Sequence, residues 1–231
     1  MNIEIIFADN NLLVLNKPAS ILVHPTQADE KNTLVNFLIE KNPEIKNLDW
    51  PDKTRIGVVH RLDKNTSGTI LIAKNNKTLE ALQKEFQERR VVKKYLALVC
   101  GPIKEDGELI TTLGRAPKDR RKQKVFDLNE ESESKRRAET KYTILKEFKD
   151  YTLLEVEIKT GRKHQIRAHM AHLQHPITGD TLYGFKNQKN PKGLTGQFLH
   201  SKYLKLNILG KEMEFESELP NNLKKTLEEL K

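Results

Sequence analysis

Short apolar runs alternate with dense polar stretches along the chain, and the runs predict its elements. Residues 3–7 and 12–15 are apolar and are separated by Asp9, Asn10 and Asn11, which predicts a strand, a turn and a second strand. Pro18 and Pro25 argue against a helix in LNKPASILVHP. In TLVNFLIEKN, Leu34, Phe37 and Leu38 recur at helical spacing and predict a short amphipathic helix. Asn42 to Thr54 is mostly polar, contains Pro43 and Pro51, and reads as a surface loop. Two runs with a strand look, GVV at 57–59 and TILIA at 69–73, then enclose a polar segment holding His60, Arg61, Asp63, Lys64, Asn65, Thr66, Ser67 and Gly68.

Beyond this segment Leu79, Leu82 and Phe86 predict a second helix, with Asn76 or Thr78 as its cap. VVKKYLALVCG reads as a strand. Residues 104–140 carry dense charge and few apolar side chains, which predicts a long exposed hairpin or a partly mobile loop. YTILKEF and YTLLEVEIK flank Lys149-Asp150 as a hairpin, with Thr152, Leu154, Val156 and Ile158 alternating onto one face. HQIRAHMAHLQH predicts a helix with an apolar stripe of Ile166, Met170 and Leu173. A second hairpin turns at Gly210-Lys211, and a last helix after Pro220 aligns Leu223, Leu227 and Leu230. Without βαβ alternation or a fixed repeat, the expected class is α+β with a mixed, mostly antiparallel central sheet flanked by helices and loops.

Composition changes that picture in two ways. At 231 residues the chain can bury a proper core, yet only 36% of it is hydrophobic and 32% is charged, so its surface is strongly ionic. The net charge of +9 suits a polyanionic partner such as nucleic acid, although a lysine-rich soluble protein accounts for it equally well. The single cysteine, Cys100, permits no internal disulfide and suits a reducing cytoplasm. The amino terminus has neither the charge pattern of a signal peptide nor a membrane span.

Asp63 is the best candidate for a nucleophile or base, because it stands where a strand gives way to a glycine-containing loop. Thr66 and Ser67 offer hydroxyls beside it, and Gly68 permits backbone conformations closed to other residues. Taken alone, DKNTSG reads more readily as an Asx-type turn than as a catalytic loop. A second cluster, residues 160–180, holds Arg162, Arg167 and four histidines: His164, His169, His172 and His175. Their spacing lacks the i, i+4 pair with a carboxylate that marks a helical zinc site, so no metal is expected. The better account is a helix whose polar face meets phosphate, with amides at Thr160-Gly161 presented to an anion. Tyr95, in KKYLALV, reads as ordinary core when taken alone.

Taken together these segments resemble the RluA-type family of RNA pseudouridine synthases. HRLDKNTSG at 60–68 fits the family signature HRLDxxTSG at every fixed position. NKPASILVHP at 16–25, KKYLALV at 93–99, TGRKHQIRAHMAHLQHPITGDTLYG at 160–184 and LHSKYLKL at 199–206 follow in the family's order. One departure is small: the family commonly has Gly after Pro-Ala in the first motif, where this chain has Ser20 and Ile21 after Ala19.

The resemblance implies one pseudouridine synthase catalytic domain over residues 1–231, with room for two subdomains sharing a sheet and a cleft between them. It implies isomerisation of uridine in large-subunit ribosomal RNA, transfer RNA or both, with Asp63 as the catalytic aspartate. Burial opposes the ionised carboxylate that this needs and a guanidinium favours it; in the family that guanidinium belongs to the QIR element, here Arg167. Tyr95 matches the tyrosine whose ring stacks on uracil, and Arg61 matches the arginine that enters the base stack as the uridine is extruded. His60, Arg162, His164, Lys17, Arg115, Arg120, Arg121 and Lys122 are the further expected RNA contacts, the basic run 115–124 and Lys135, Arg136 and Arg137 meeting the backbone. Because the reaction needs no external reagent, no cofactor is implied. The expected protein is a cytoplasmic monomer without a small RNA-binding domain ahead of the catalytic one. An RNA-binding assembly factor on the same fold is the main alternative; a glycosidase-like hydrolase would need a second carboxylate beside Asp63.

Overall fold

The computed structural model describes residues 3–26 and 30–230. In chain order the elements are β1 (Glu4–Ala8), β2 (Leu12–Lys17), α1 (Leu34–Lys41), β3 (Ser67–Ala73), α2 (Asn76–Gln87), β4 (Val92–Cys100) and β5 (Gly107–Arg115). There follow β6 (Gln123–Phe126), β7 (Lys135–Glu147), β8 (Tyr151–Ile158), α3 (Gln165–His172), β9 (Leu199–Ile208), β10 (Lys211–Glu216) and α4 (Asn221–Glu229). They divide into two compact units, one of residues 1–92 and 201–218, the other of 93–200 and 219–231. Among the described residues no helix is long and apolar enough to cross a membrane.

In the first unit β1 pairs with β2, β2 with β3, and β10 with β9, each antiparallel, while β3 lies beside β9. Every residue of β3 is buried, as its unbroken run TILIA requires of a strand covered on both faces. The preceding GVV does not form the partner strand that its composition predicts. Val58 makes only an isolated bridge to Ile72, beside which Ala73 N–H donates to the Gly57 carbonyl at 2.8 Å, on the edge of β3 opposite β2. α1 starts at Thr33, whose hydroxyl accepts from Asn36 N–H at 3.2 Å. The cap of α2 is Asn75, one residue before the expected position: its extended backbone lets the side-chain oxygen accept from Thr78 N–H at 2.9 Å. Leu79 and Leu82 are the buried face of α2. The predicted loop from 42 to 54 contains a 3-10 helix at Pro43–Asn47 and a buried Trp50, whose indole N–H donates to the Ile45 carbonyl at 2.6 Å. One aromatic anchor in a polar stretch leaves no periodicity to read.

In the second unit the strand order is β4-β8-β7-β5-β6, and all four pairs are antiparallel. The charged region 104–140 is therefore not a mobile loop: β5 pairs with β6 on one side and β7 on the other. Its inward positions, Leu109, Leu113 and Ala138, are too sparse among charges to show the alternation clearly. β8 follows its predicted pattern, burying Thr152, Leu154, Val156 and Ile158. α4 lays Leu223, Leu227 and Leu230 against a cluster of Leu98, Phe148, Tyr151 and Phe198. The β9–β10 turn is centred on Leu209 and Gly210, at φ +50° and +89°, one residue earlier than expected; two left-handed residues are what a tight hairpin turn needs.

Candidate active site

The motif loop is built from the backbone outward. Thr66 N–H donates to the Asp63 carbonyl at 3.1 Å, which closes a turn immediately before β3. Arg61 is exposed, Leu62 is buried and Asp63 is half-buried, so alternation of the chain aims one side chain at solvent and the next at the core. Thr66 and Ser67 are buried at the start of β3. Gly68 adopts φ +115°, and a Cβ there would stand 2.3 Å from the Ser201 carbonyl oxygen. Only glycine lets β3 approach the β9 backbone so closely.

His60 fixes the other end of the loop. Its Nε2 accepts from Leu71 N–H at 3.0 Å, and its ring stacks on Phe86 of α2 with centroids 4.8 Å apart. That bond leaves the ring proton of the neutral imidazole on Nδ1. His60, expected as an RNA contact, thus ties the loop to strand and helix.

Lys17 requires a correction. It is expected as an RNA contact, but it is fully buried at the end of β2. Its Nζ donates to the carbonyls of Pro18, Ile21 and Lys64 at 2.8, 3.1 and 3.2 Å, three acceptors for the three N–H bonds of an ammonium. An enclosed ammonium cannot meet a phosphate surface; it clamps the Asp63 loop through Lys64 instead. Burial pushes its pKa down to about 7, while the nearby Asp63 carboxylate pulls the other way.

In the second unit, Tyr95 is buried on β4, opposite Val156 of β8. Arg167 is buried on α3 and grips Asp180 with two hydrogen bonds, Nε to Oδ2 at 2.6 Å and a terminal nitrogen to Oδ1 at 2.9 Å. Asp180 Oδ1 also accepts from the amides of Leu182 and Tyr183. Burial alone would raise the Asp180 carboxyl, but the Arg167 guanidinium and these amides hold it below the usual carboxylate range. The Tyr183 ring lies 5.1 Å from the guanidinium carbon, and its hydroxyl meets His164 Nδ1 at 3.1 Å and accepts from Gln123 N–H at 2.6 Å. Asp180 and Tyr183 are the residues that residue-by-residue reading missed, although both lie within the quoted TGDTLYG.

The expected phosphate-facing helix is also corrected. Gln165, Ile166, Arg167, Ala168, His169 and Met170 are all buried, so α3 has little polar surface to offer, and Leu173 lies beyond its end, half-buried. His169 sits between the hydroxyls of Thr111 and Thr140 at 2.9 and 2.8 Å, and burial lowers its pKa to about 4. Just after the Thr160-Gly161 turn, Arg162 N–H donates to Gln165 Oε1 at 3.0 Å, and Arg162 Nε donates to the Arg137 carbonyl at 2.9 Å. His164 enters the helix with φ +55°.

The basic segment is divided. Arg121 is paired with Asp119, Lys135 with Glu130 and Arg137 with Glu139. Arg115, Arg120 and Lys124 are exposed, and Lys122 reaches over the Tyr183 ring at 5.8 Å.

Comparison with known proteins gives this arrangement its class. The fold is that of pseudouridine synthases: human RNA Pseudouridylate Synthase Domain Containing 1 superposes with a TM-score of 0.77 at 25% identity, over 95% of this chain and 84% of that one. Human RNA Pseudouridylate Synthase Domain Containing 4 gives 0.75 at 26% identity, over 98% and 93%. The family model described as RNA pseudouridylate synthase matches residues 11–172, and the chain belongs to that family. A ribosomal large subunit pseudouridine synthase D of Xylella fastidiosa is 40% identical over 193 residues, 84% of this chain and 55% of that protein. An uncharacterized RNA pseudouridine synthase of Chloroflexus aurantiacus is 40% identical over 217 residues, 93% of this chain and 65% of its own length. The chain spans 55 to 65% of the length of such curated relatives.

Proposed function

We propose that the protein isomerises uridine to pseudouridine within RNA, with Asp63 as the catalytic carboxylate. The bond from uracil N1 to the sugar C1′ breaks, the base turns, C5 bonds to C1′, and the C5 proton is lost while N1 gains one, so the product is an isomer. Tyr95 and Arg167 carry the roles the resemblance assigns, the ring against the uracil and the guanidinium as the positive charge the reaction needs. Arg61 enters the base stack, and a guanidinium plane suits that task better than an ammonium. Relatives named for the large ribosomal subunit support ribosomal RNA as substrate; we place the reaction in the cytoplasm, without cofactor.

The observation that carries the reading is the HRLDKNTSG loop itself. Asp63 is half-buried on a turn held from three sides: Lys17 through the Lys64 carbonyl, His60 through Leu71, and Gly68 against Ser201. A loop so restrained holds a reacting group in one place, which a solvated turn does not require. The test is tritium release from RNA carrying uridine labelled at C5. Asp63→Asn is expected to release none while RNA binding stays within a few-fold of wild type; full turnover by this variant would sink the assignment.

A further inference from the structure

Beside the motif loop, and outside the side chains given catalytic roles above, the first unit carries a cleft of about 350 Å³. Asp63 is not among its lining residues, but Arg61, two residues earlier, is. Trp50, Val58 and Leu79 form apolar wall, and the indole is fixed by its bond to Ile45. His24 and Gln83 contribute polar edges, Arg55 and Arg61, both exposed, supply positive charge, and Asp52, paired with Arg55 at 3.4 Å, supplies one negative charge. His24 is only 6% exposed, and its Nδ1 has no hydrogen-bond partner among the described residues. Buried polar atoms rarely remain so, and His24 is one of the residues that line this cleft.

We infer that this cleft receives the base of an RNA nucleotide flanking the target uridine, a role that rests on the pseudouridine synthase reading. Extruding a uridine unstacks its neighbours, and an unstacked base is flat, uncharged and edged with donors and acceptors, with a phosphate attached. The cleft answers each property: aromatic and apolar wall for the face, His24 and Gln83 for the edge, and Arg55 for the phosphate. A cationic ligand would face two guanidiniums against the single Asp52 carboxylate, and a wholly apolar one would use none of the polar lining. Burial first, then Arg55 and Arg61, push the His24 pKa down, so its ring offers one N–H and one lone pair rather than a charge.

Trp50 is the only tryptophan in the chain, so its fluorescence reports on this cleft directly. Pentauridylate is expected to quench it saturably, and inorganic phosphate at the same concentration is not. His24→Phe, which keeps a ring but removes both nitrogens, should weaken the pentauridylate response about tenfold. Should that variant not fold, Arg55→Ala at the exposed mouth should weaken it several-fold and lower the salt slope by about one. Asp63→Asn should retain the full response. No quenching by pentauridylate, equal quenching by phosphate, or unchanged binding in both cleft variants would overturn the inference. Tritium release in the same preparations separates it from the proposed function: turnover without a Trp50 response removes the cleft alone, whereas a saturable response without turnover supports a base site and removes the isomerase.

Discussion

Among single residues, Arg167 and Asp180 bear the most consequence. A buried ion pair gains little over an apolar pair, but removing one partner strands the other charge. Asp180→Ala should therefore cost on the order of 3–5 kcal/mol, read from urea unfolding at pH 7; a loss below about 1 kcal/mol would show that water already reaches the guanidinium. Sequence could not display this pair, since Arg167 and Asp180 are thirteen residues apart and an Arg–Asp pairing has no periodic signature. Lys17 shows the same limit from the other side. A lysine before a proline reads as a surface cation, and only the three converging carbonyls reveal an internal clamp. Ser20 shows what the family comparison could offer. It stands in the loop where glycine is common and adopts φ +71°, so the departure noticed in sequence is a departure in backbone cost.

At the scale of the element, β3 positions the motif. Gly68→Ala would force a Cβ against the Ser201 backbone and hold an L-residue at φ +115°, a cost of at least about 2 kcal/mol unless β3 moves. The expected outcome is a lower melting temperature together with loss of tritium release, because Asp63 hangs from the turn that enters β3. Normal turnover with normal stability would mean that the strand shifts without consequence for the loop. The strands and helices with clean apolar spacing, β2, β8, α2 and α4, were legible because each buries one face. α3 was misjudged because its buried face includes Gln165, Arg167 and His169, whose bonding to Thr111, Thr140, Thr160 and Asp180 is tertiary. Polar side chains that satisfy one another inside look, in sequence, like side chains that face water.

For the whole molecule, the buried histidine sets a pH dependence. His169 has a folded pKa of about 4 against 6.5 in the unfolded chain, so the unfolded state binds the additional proton between those values. Stability is complete above pH 6.5 and falls as pH drops through 4, by about 3 kcal/mol for this group at the limit. Asp180, with a depressed pKa, adds loss of the same sign at lower pH. Unfolding free energies at pH 7 and pH 4.5 should show the fall, and His169→Gln should flatten the histidine part of it; an unchanged slope would rule out His169 as its source.

The excess of positive charge also has a consequence unrelated to substrate. β6 is the outermost strand of the order β4-β8-β7-β5-β6, and such an edge can template pairing with another chain. Lys124 lies on this strand, over the Phe126 ring at 5.0 Å, with Lys122 immediately before the strand. These ammonium groups repel the same edge of a second molecule, so the segment that suits RNA also guards the sheet against aggregation. Charge removal there trades nucleic-acid affinity against solubility, and neutral variants of this strand will need to be kept dilute.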